Sequence, residues 1–446
     1  MKTISRYLNG LGALLALAGA LTWGSAPRLA AAEATNPAPH TATAAAAPAG
    51  AGHEAAPAGA AHGAVHAEHG HSHAGGSPDF LTQFGYSYLT AYMFCLSLCM
   101  GSLFLVFVHH LFDAGWSVSI RRVCEQLSSL LFPHMLIAVI PILLLQKKIY
   151  PWLSIDPATD HSLDTKKALF NVYAFNFLVF AFIASWGYIA HLFRKWSLAQ
   201  DKDGAVKWTQ NARKLAAGGM FWFAISLTLV CFYLMKSIQH QFFSTMYGVY
   251  YFAGSVWLTL VTLWVLVLTL RDRGPLKPVI FKRQIQDLGV WFFAFTVFYA
   301  YIHFSQYFLI WNAAMPEETF WYVQREQGSW KWVGFTILFG HFIVPFLVLL
   351  NQDIKLNKAV MIPMAAWAWL MHYVDMTFNI MPPIAPEGLN VTIWDPLCWF
   401  GLAAVLGFGF WKRFHAAPAW PLRDPRLKEA VTHHVVPGPG EAAAHH

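Results

Sequence analysis

The sequence predicts an all-α integral membrane protein. Three observations carry this reading: ten apolar stretches punctuate the chain, charge is scarce, and Lys and Arg concentrate on alternate connections. Of 446 residues, 57% are hydrophobic and only 12% charged, against about 25% charged in ordinary soluble domains. Aromatic residues make up 16%, with 20 Trp, which suits two interfacial belts. The net charge of +7 sits in short loops beside apolar segments, where it sets topology. No basic stripe with interleaved aromatics points to nucleic acid.

Residues 1–32 carry Lys2 and Arg6, then an apolar run from Leu8 to Trp23, then Ala30-Ala31-Ala32. This is the layout of a cleaved signal peptide and equally of a retained first span; both leave residue 33 on the outer side. Residues 33–80 are rich in Ala, Gly, Pro and His and carry no apolar periodicity, so a disordered periplasmic linker is expected. Its seven histidines, His40, His53, His62, His66, His69, His71 and His73, read as weak metal capture or as a low-complexity spacer.

Nine spans follow, near 86–112, 123–147, 168–194, 214–236, 246–270, 286–312, 331–351, 358–378 and 392–411. Each is long enough to cross about 30 Å of hydrocarbon at about 1.5 Å per residue. Arg121 and Arg122 follow the first; Arg194, Lys195, Lys202, Lys207, Arg213 and Lys214 come two spans later. Arg271, Arg273, Lys277, Lys282 and Arg283 are next, then Lys355 and Lys358, then Lys412 and Arg413. The intervening loops are poorer in base, except the one bounded by Lys147, Lys148, Lys166 and Lys167. The pattern predicts a multi-pass membrane protein with its C-terminus inside: ten helices if the leader stays, nine if it is cleaved. Residues 81–415 form the membrane domain and 416–446 a cytoplasmic tail.

Ionisable residues inside a bilayer are functional candidates by default. Four groups stand out. Arg121 and Glu125 are i,i+4 neighbours that can pair, with His109 and His110 on the same side; they form a proton-entry mouth or an interfacial cap of snorkelling arginines. His134, nine residues beyond Glu125, faces away from it. Tyr299, His303 and Tyr307 are spaced by four along one helix, a stripe for protons, for a quinone headgroup or for interhelical hydrogen bonds. His372 and Asp375 are three apart, a spacing that lets the carboxylate orient the imidazole. Tyr233, Lys236 and His240 share a face near the outer surface, where a snorkelling Lys is the plainer reading.

The five cysteines include no CxxC or CxxCH, which argues against covalent haem and against an iron–sulfur cluster held by this chain alone. The histidines at 134, 191, 303, 341 and 372 do not repeat the two-per-helix pattern of multi-haem membrane cytochromes. No zinc triad, phosphate loop, nucleophile elbow or dinucleotide-binding glycine pattern falls in a suitable context. The chain is therefore expected to hold no metal and no catalytic centre of its own.

Three stretches go further: Ala114-Gly115-Trp116-Ser117 leading to Arg121-Arg122 and Glu125; Phe243-Ser244-Thr245 leading to Gly248, Tyr250, Tyr251 and Gly254; and Ser305-Gln306-Tyr307 leading through Trp311-Asn312 to Pro316-Glu317-Glu318, Trp321-Tyr322 and Arg325. Together they resemble the F-type membrane subunit of bacterial alternative complex III, a quinol:cytochrome c oxidoreductase, within the polysulphide-reductase (NrfD-like) family. The resemblance covers roughly residues 85–415, and its most specific part is the Pro-Glu-Glu segment with flanking aromatics. It implies ten helices, two four-helix bundles plus peripheral helices, and retention of the first span. It implies the bacterial inner membrane and so a cytoplasmic C-terminus. It implies a non-redox-centre subunit of a respiratory electron-transport complex, supporting assembly; the candidates for proton translocation, read from the residues themselves, are Glu125, His303, His372 and Asp375. The stripe of Tyr299, His303 and Tyr307 supplies the candidate contacts for menaquinone or another quinone. The implied partners are a sister NrfD-like subunit, an iron–sulfur subunit, multihaem and monohaem cytochromes c, small membrane subunits, the lipid bilayer and a terminal oxidase; haem c and Fe–S clusters belong to them. The family carries two acidic residues in the segment that here reads Tyr233-Leu-Met-Lys236-Ser-Ile-Gln239-His240-Gln241. Their loss argues against a relay through that segment, with Lys236 and His240 as candidate substitutes. A structural scaffold and a secondary transporter are the competing classes; the transporter would show inverted repeats, and none is evident.

Overall fold

The computed structural model describes residues 79–432, and every regular element among them is helical. The leader at 1–32, the linker up to residue 78 with its histidines, and residues 433–446 lie outside the described residues.

Seven segments are long and apolar enough to cross a membrane. They are α1 (Phe80–Leu111), a broken α2 (Gly115–Leu144), α3 (Val172–Asp203), α4 (Val206–Leu234), α5 (Tyr247–Asp272), α6 (Lys282–Ala313) and, after the short α7 (Pro316–Arg325), α8 (Trp330–Leu349). Two further predicted spans form α9 (Lys358–Ile380) and α10 (Trp394–His415), of 23 and 22 residues. A last short helix, α11 (Leu427–Thr432), lies in the tail. The protein is thus an all-α membrane protein by length and composition of its helices.

Burial separates two helices from the rest. The apolar windows of α1 and α5 are each 83% buried, whereas the other five range from 33% to 44%. α1 packs against α2, α4, α5, α9 and α10, and α5 against α1, α4, α6 and α9. Apolar outer faces carry Phe177, Phe221, Leu309 and Phe400, all exposed, as lipid-facing positions should be. Between α1 and α5 the backbones meet at Gly101, where an added Cβ would lie 2.3 Å from Thr259 Oγ1 and 2.4 Å from the Ser255 carbonyl. Small residues permit such close approach where no hydrophobic force draws helices together.

Two helices are irregular for readable reasons. In α2 the chain turns extended at Phe132, the residue before Pro133; proline disfavours the helical conformation in its predecessor and supplies no N–H. In α8 a π-helical stretch, Leu338–Ile343, interrupts the α pattern and carries His341.

Candidate functional site

Five helices converge on one buried polar cluster. α9 presents His372, Asp375 and Asn379 along one face, spaced three and four apart as helical neighbours are. α5 supplies Tyr250 and Trp257, α6 supplies Tyr299, α8 supplies His341, and α1 supplies Ser97. Ser97, His341, His372 and Asp375 are each 0% exposed. Gly254 on α5 makes room: a Cβ there would sit 2.9 Å from His372 Cε1.

The hydrogen bonds fall into two sets, one at His372 and one at Asp375. His372 Nε2 meets Ser97 Oγ at 3.0 Å. The Tyr250 hydroxyl donates to Asp375 Oδ1 and lies 3.2 Å from the Tyr299 hydroxyl. The Asn379 side-chain amide donates to the Tyr250 oxygen at 3.1 Å, and its carbonyl accepts from Tyr247 at 3.0 Å. The His341 ring is sandwiched between Trp257 and Tyr299, with centroids 3.8 and 3.7 Å away. Trp257 is itself tied to Thr296 through its indole N–H at 2.8 Å. Four atoms in this cluster are buried without a hydrogen-bond partner: both nitrogens of His341, Nδ1 of His372 and Oδ2 of Asp375.

The expected pairing of His372 with Asp375 is replaced by a different division of labour. Ser97 takes one nitrogen of His372 and Tyr250 takes one oxygen of Asp375, because α1 and α5 approach α9 closely enough to supply both. The stripe on α6 divides as well. Tyr299 is enclosed, and His303 is half-buried and stacks near Tyr250 and Tyr299. Tyr307 is 40% exposed and donates to Glu326 at 3.3 Å. The inner helices therefore screen Tyr299, while His303 and Tyr307 lie nearer the outside of this bundle.

Glu125 stands elsewhere, in a buried ion cluster at the start of α2. It pairs with Arg121 at 2.9 Å and Arg122 at 3.2 Å. Arg121 also binds Asp424 of the tail at 2.5 Å and His109 Nε2 at 2.9 Å, while Arg122 reaches Asp201 at 2.7 Å. All three of Arg121, Arg122 and Glu125 are buried, so the snorkelling expectation gives way to an internal lock that holds residues 416–432 against α2. Burial opposes ionisation of Asp424, but Arg121 and Arg426 outweigh it and hold the carboxyl well below the usual carboxylate range. An apolar cavity of about 400 Å³ opens beside this lock, lined by Phe104, Trp116, Leu288 and Trp291, with His109, Ser117 and Arg121 as its polar points.

The segment of residues 233–241 makes local contacts. Lys236 Nζ donates to the Phe242 carbonyl at 2.7 Å, and His240 meets Asp160 at 2.7 Å. Neither is bonded to the cluster around Asp375, so their substitution for missing relay carboxylates gains no geometric support.

Sequence reasoning missed His341 as a cluster member, Tyr250, Ser97 and Arg325. Arg325 closes the end of α7 and donates to the carbonyls of Phe378 and Asn379 at 2.9 and 3.0 Å, which caps α9 beside the cluster. The one available signal was its place in the Pro-Glu-Glu segment. Comparison with protein-family models and with curated proteins returns no match to this chain.

Proposed function

We propose that the chain is an integral inner-membrane subunit of a respiratory quinol:cytochrome c oxidoreductase of the alternative complex III type. It carries no redox centre, supports assembly, and conducts protons through its buried cluster. The observation that carries the proposal is the hydrogen-bonded chain of Asp375, Tyr250, Tyr299 and Asn379 inside apolar helices, with His372 buried beside it, since such groups are costly in a membrane and seldom persist without a task. The sequence resemblance over residues 85–415 supports the ten-helix, two-bundle organisation, the retained leader, the cytoplasmic C-terminus and the partners: a sister NrfD-like subunit, an iron–sulfur protein and c-type cytochromes.

In this reading Asp375 and the tyrosine hydroxyls exchange protons along existing hydrogen bonds, and His303 with Tyr307 offers polar contacts to a quinone. Glu125 contributes to assembly through its arginines rather than to the same proton path. Purification through a tag on this chain tests the reading. Co-purified iron–sulfur protein and cytochromes c, with quinol:cytochrome c activity, are the expected result; a solitary colourless chain overturns it. Asp375→Asn should assemble normally and lose turnover or proton stoichiometry, and normal values of both would remove the relay.

A further inference from the structure

We propose that His341, His372 and Asp375 form a binding site for one divalent transition-metal ion of the zinc type. The inference goes beyond the respiratory reading and does not depend on it.

The three side chains can each offer a ligand atom such that all three atoms lie within 4.8 Å of one another. They come from two helices, α8 and α9, and are wholly enclosed. The decisive feature is which atoms lack partners. His372 Nδ1, Asp375 Oδ2 and both His341 nitrogens are buried and unpaired, although buried polar groups are almost always satisfied. Every other polar atom of His372 and Asp375 is engaged: Ser97 holds Nε2 of His372, and Tyr250 holds Oδ1 of Asp375. This is the second-shell arrangement that fixes metal-binding imidazoles and carboxylates in orientation. One nitrogen of His341, Nδ1 of His372 and Oδ2 of Asp375 make the lone-pair set of a two-histidine, one-carboxylate site.

Three protein ligands leave a fourth coordination position open. Ligand atoms around a tetrahedral zinc lie about 3.4 Å apart, given bonds of about 2.1 Å, so binding draws the cluster inward. The π turn on which His341 sits is a feature that recurs at functional positions. Asp375 faces the ion with Oδ2 and the tyrosine chain with Oδ1, so a bound ion and that hydrogen-bonded chain coexist.

The test uses the full-length chain, isolated in detergent on a tag without histidine and with the seven linker histidines replaced by alanine. After growth with Zn2+ and dialysis against chelator, elemental analysis should find about one zinc per chain. His341→Phe, which keeps the stacked ring but removes both nitrogens, and Asp375→Asn should each lower retention at least tenfold. Zinc absent from the parent chain, or kept equally by both variants, overturns the site. If a variant fails to fold, the Co2+-loaded parent decides: visible bands of a tetrahedral centre with histidine ligands support the site, and the spectrum of hydrated Co2+ overturns it. Zinc retention by a chain that brings down no cytochromes upholds the site and removes the respiratory reading; a metal-free chain within an active complex does the reverse.

Discussion

Asp375 shows how one residue's chemistry is set by what surrounds it. Its carboxylate is wholly buried, and the Tyr250 hydroxyl is its polar partner from α5. Removing that hydroxyl leaves an acceptor without its donor, and hydrogen bonds to charged groups contribute about 1.5–3 kcal/mol. Tyr250→Phe should therefore lower the thermal stability of the detergent-solubilised protein by that order while leaving the ring contacts in place; an unchanged melting temperature would disprove the coupling. Glu125 makes the contrasting case. It neutralises two buried arginines, and breaking a buried ion pair on one side costs about 3–5 kcal/mol. Glu125→Gln should reduce the yield of folded protein sharply, measured by monodisperse recovery from membranes. Full recovery with lost proton transport would instead return Glu125 to the relay.

At the scale of elements, most of the architecture was legible. Apolar runs and basic loops marked helices close to where α1, α3, α4, α5 and α6 lie, because a membrane segment must satisfy its backbone internally and so becomes helical. The bend in α2 was foreshadowed by Pro133 and Pro141. The π turn in α8 was not: Gly340, His341 and the following Pro345 mark Leu338–Ile343 as unusual for an apolar helix without specifying a π turn. The contact at Gly101 is equally tertiary. Gly101→Ala should force α1 and α5 apart, because its Cβ meets backbone as well as Thr259; overpacking of this kind costs about 1–3 kcal/mol. Thermal unfolding in detergent checks the magnitude, and a neutral result would mean the two helices can slide. Gly254→Ala should act on the cluster itself by pressing on His372, with metal retention or turnover as the readout.

Across the whole molecule, the tail is joined to the membrane domain by charge. Asp424 binds Arg121 and Arg426, and Arg426 reaches back to Asp113 at the end of α1. Because the Asp424 carboxyl titrates below its unfolded value near 4, its contribution is fully present above that value and is lost as pH falls through the depressed one. Protection of residues 416–432 from proteolysis should thus be the same at pH 8 and pH 5. Asp424→Asn should expose the tail at both, and a tail released between pH 8 and pH 5 would contradict the lock. The sequence by itself determined the class of the protein, most helix positions and the candidates His372, Asp375, Tyr299 and His303, because hydrophobic length and helical spacing are local properties. Tertiary structure alone decided that Glu125 and Tyr307 stand apart from that group and that Ser97, Tyr250 and His341 join it. Those neighbours come from helices far apart in the chain, and only the packing of α1, α5, α6, α8 and α9 brings their polar atoms together.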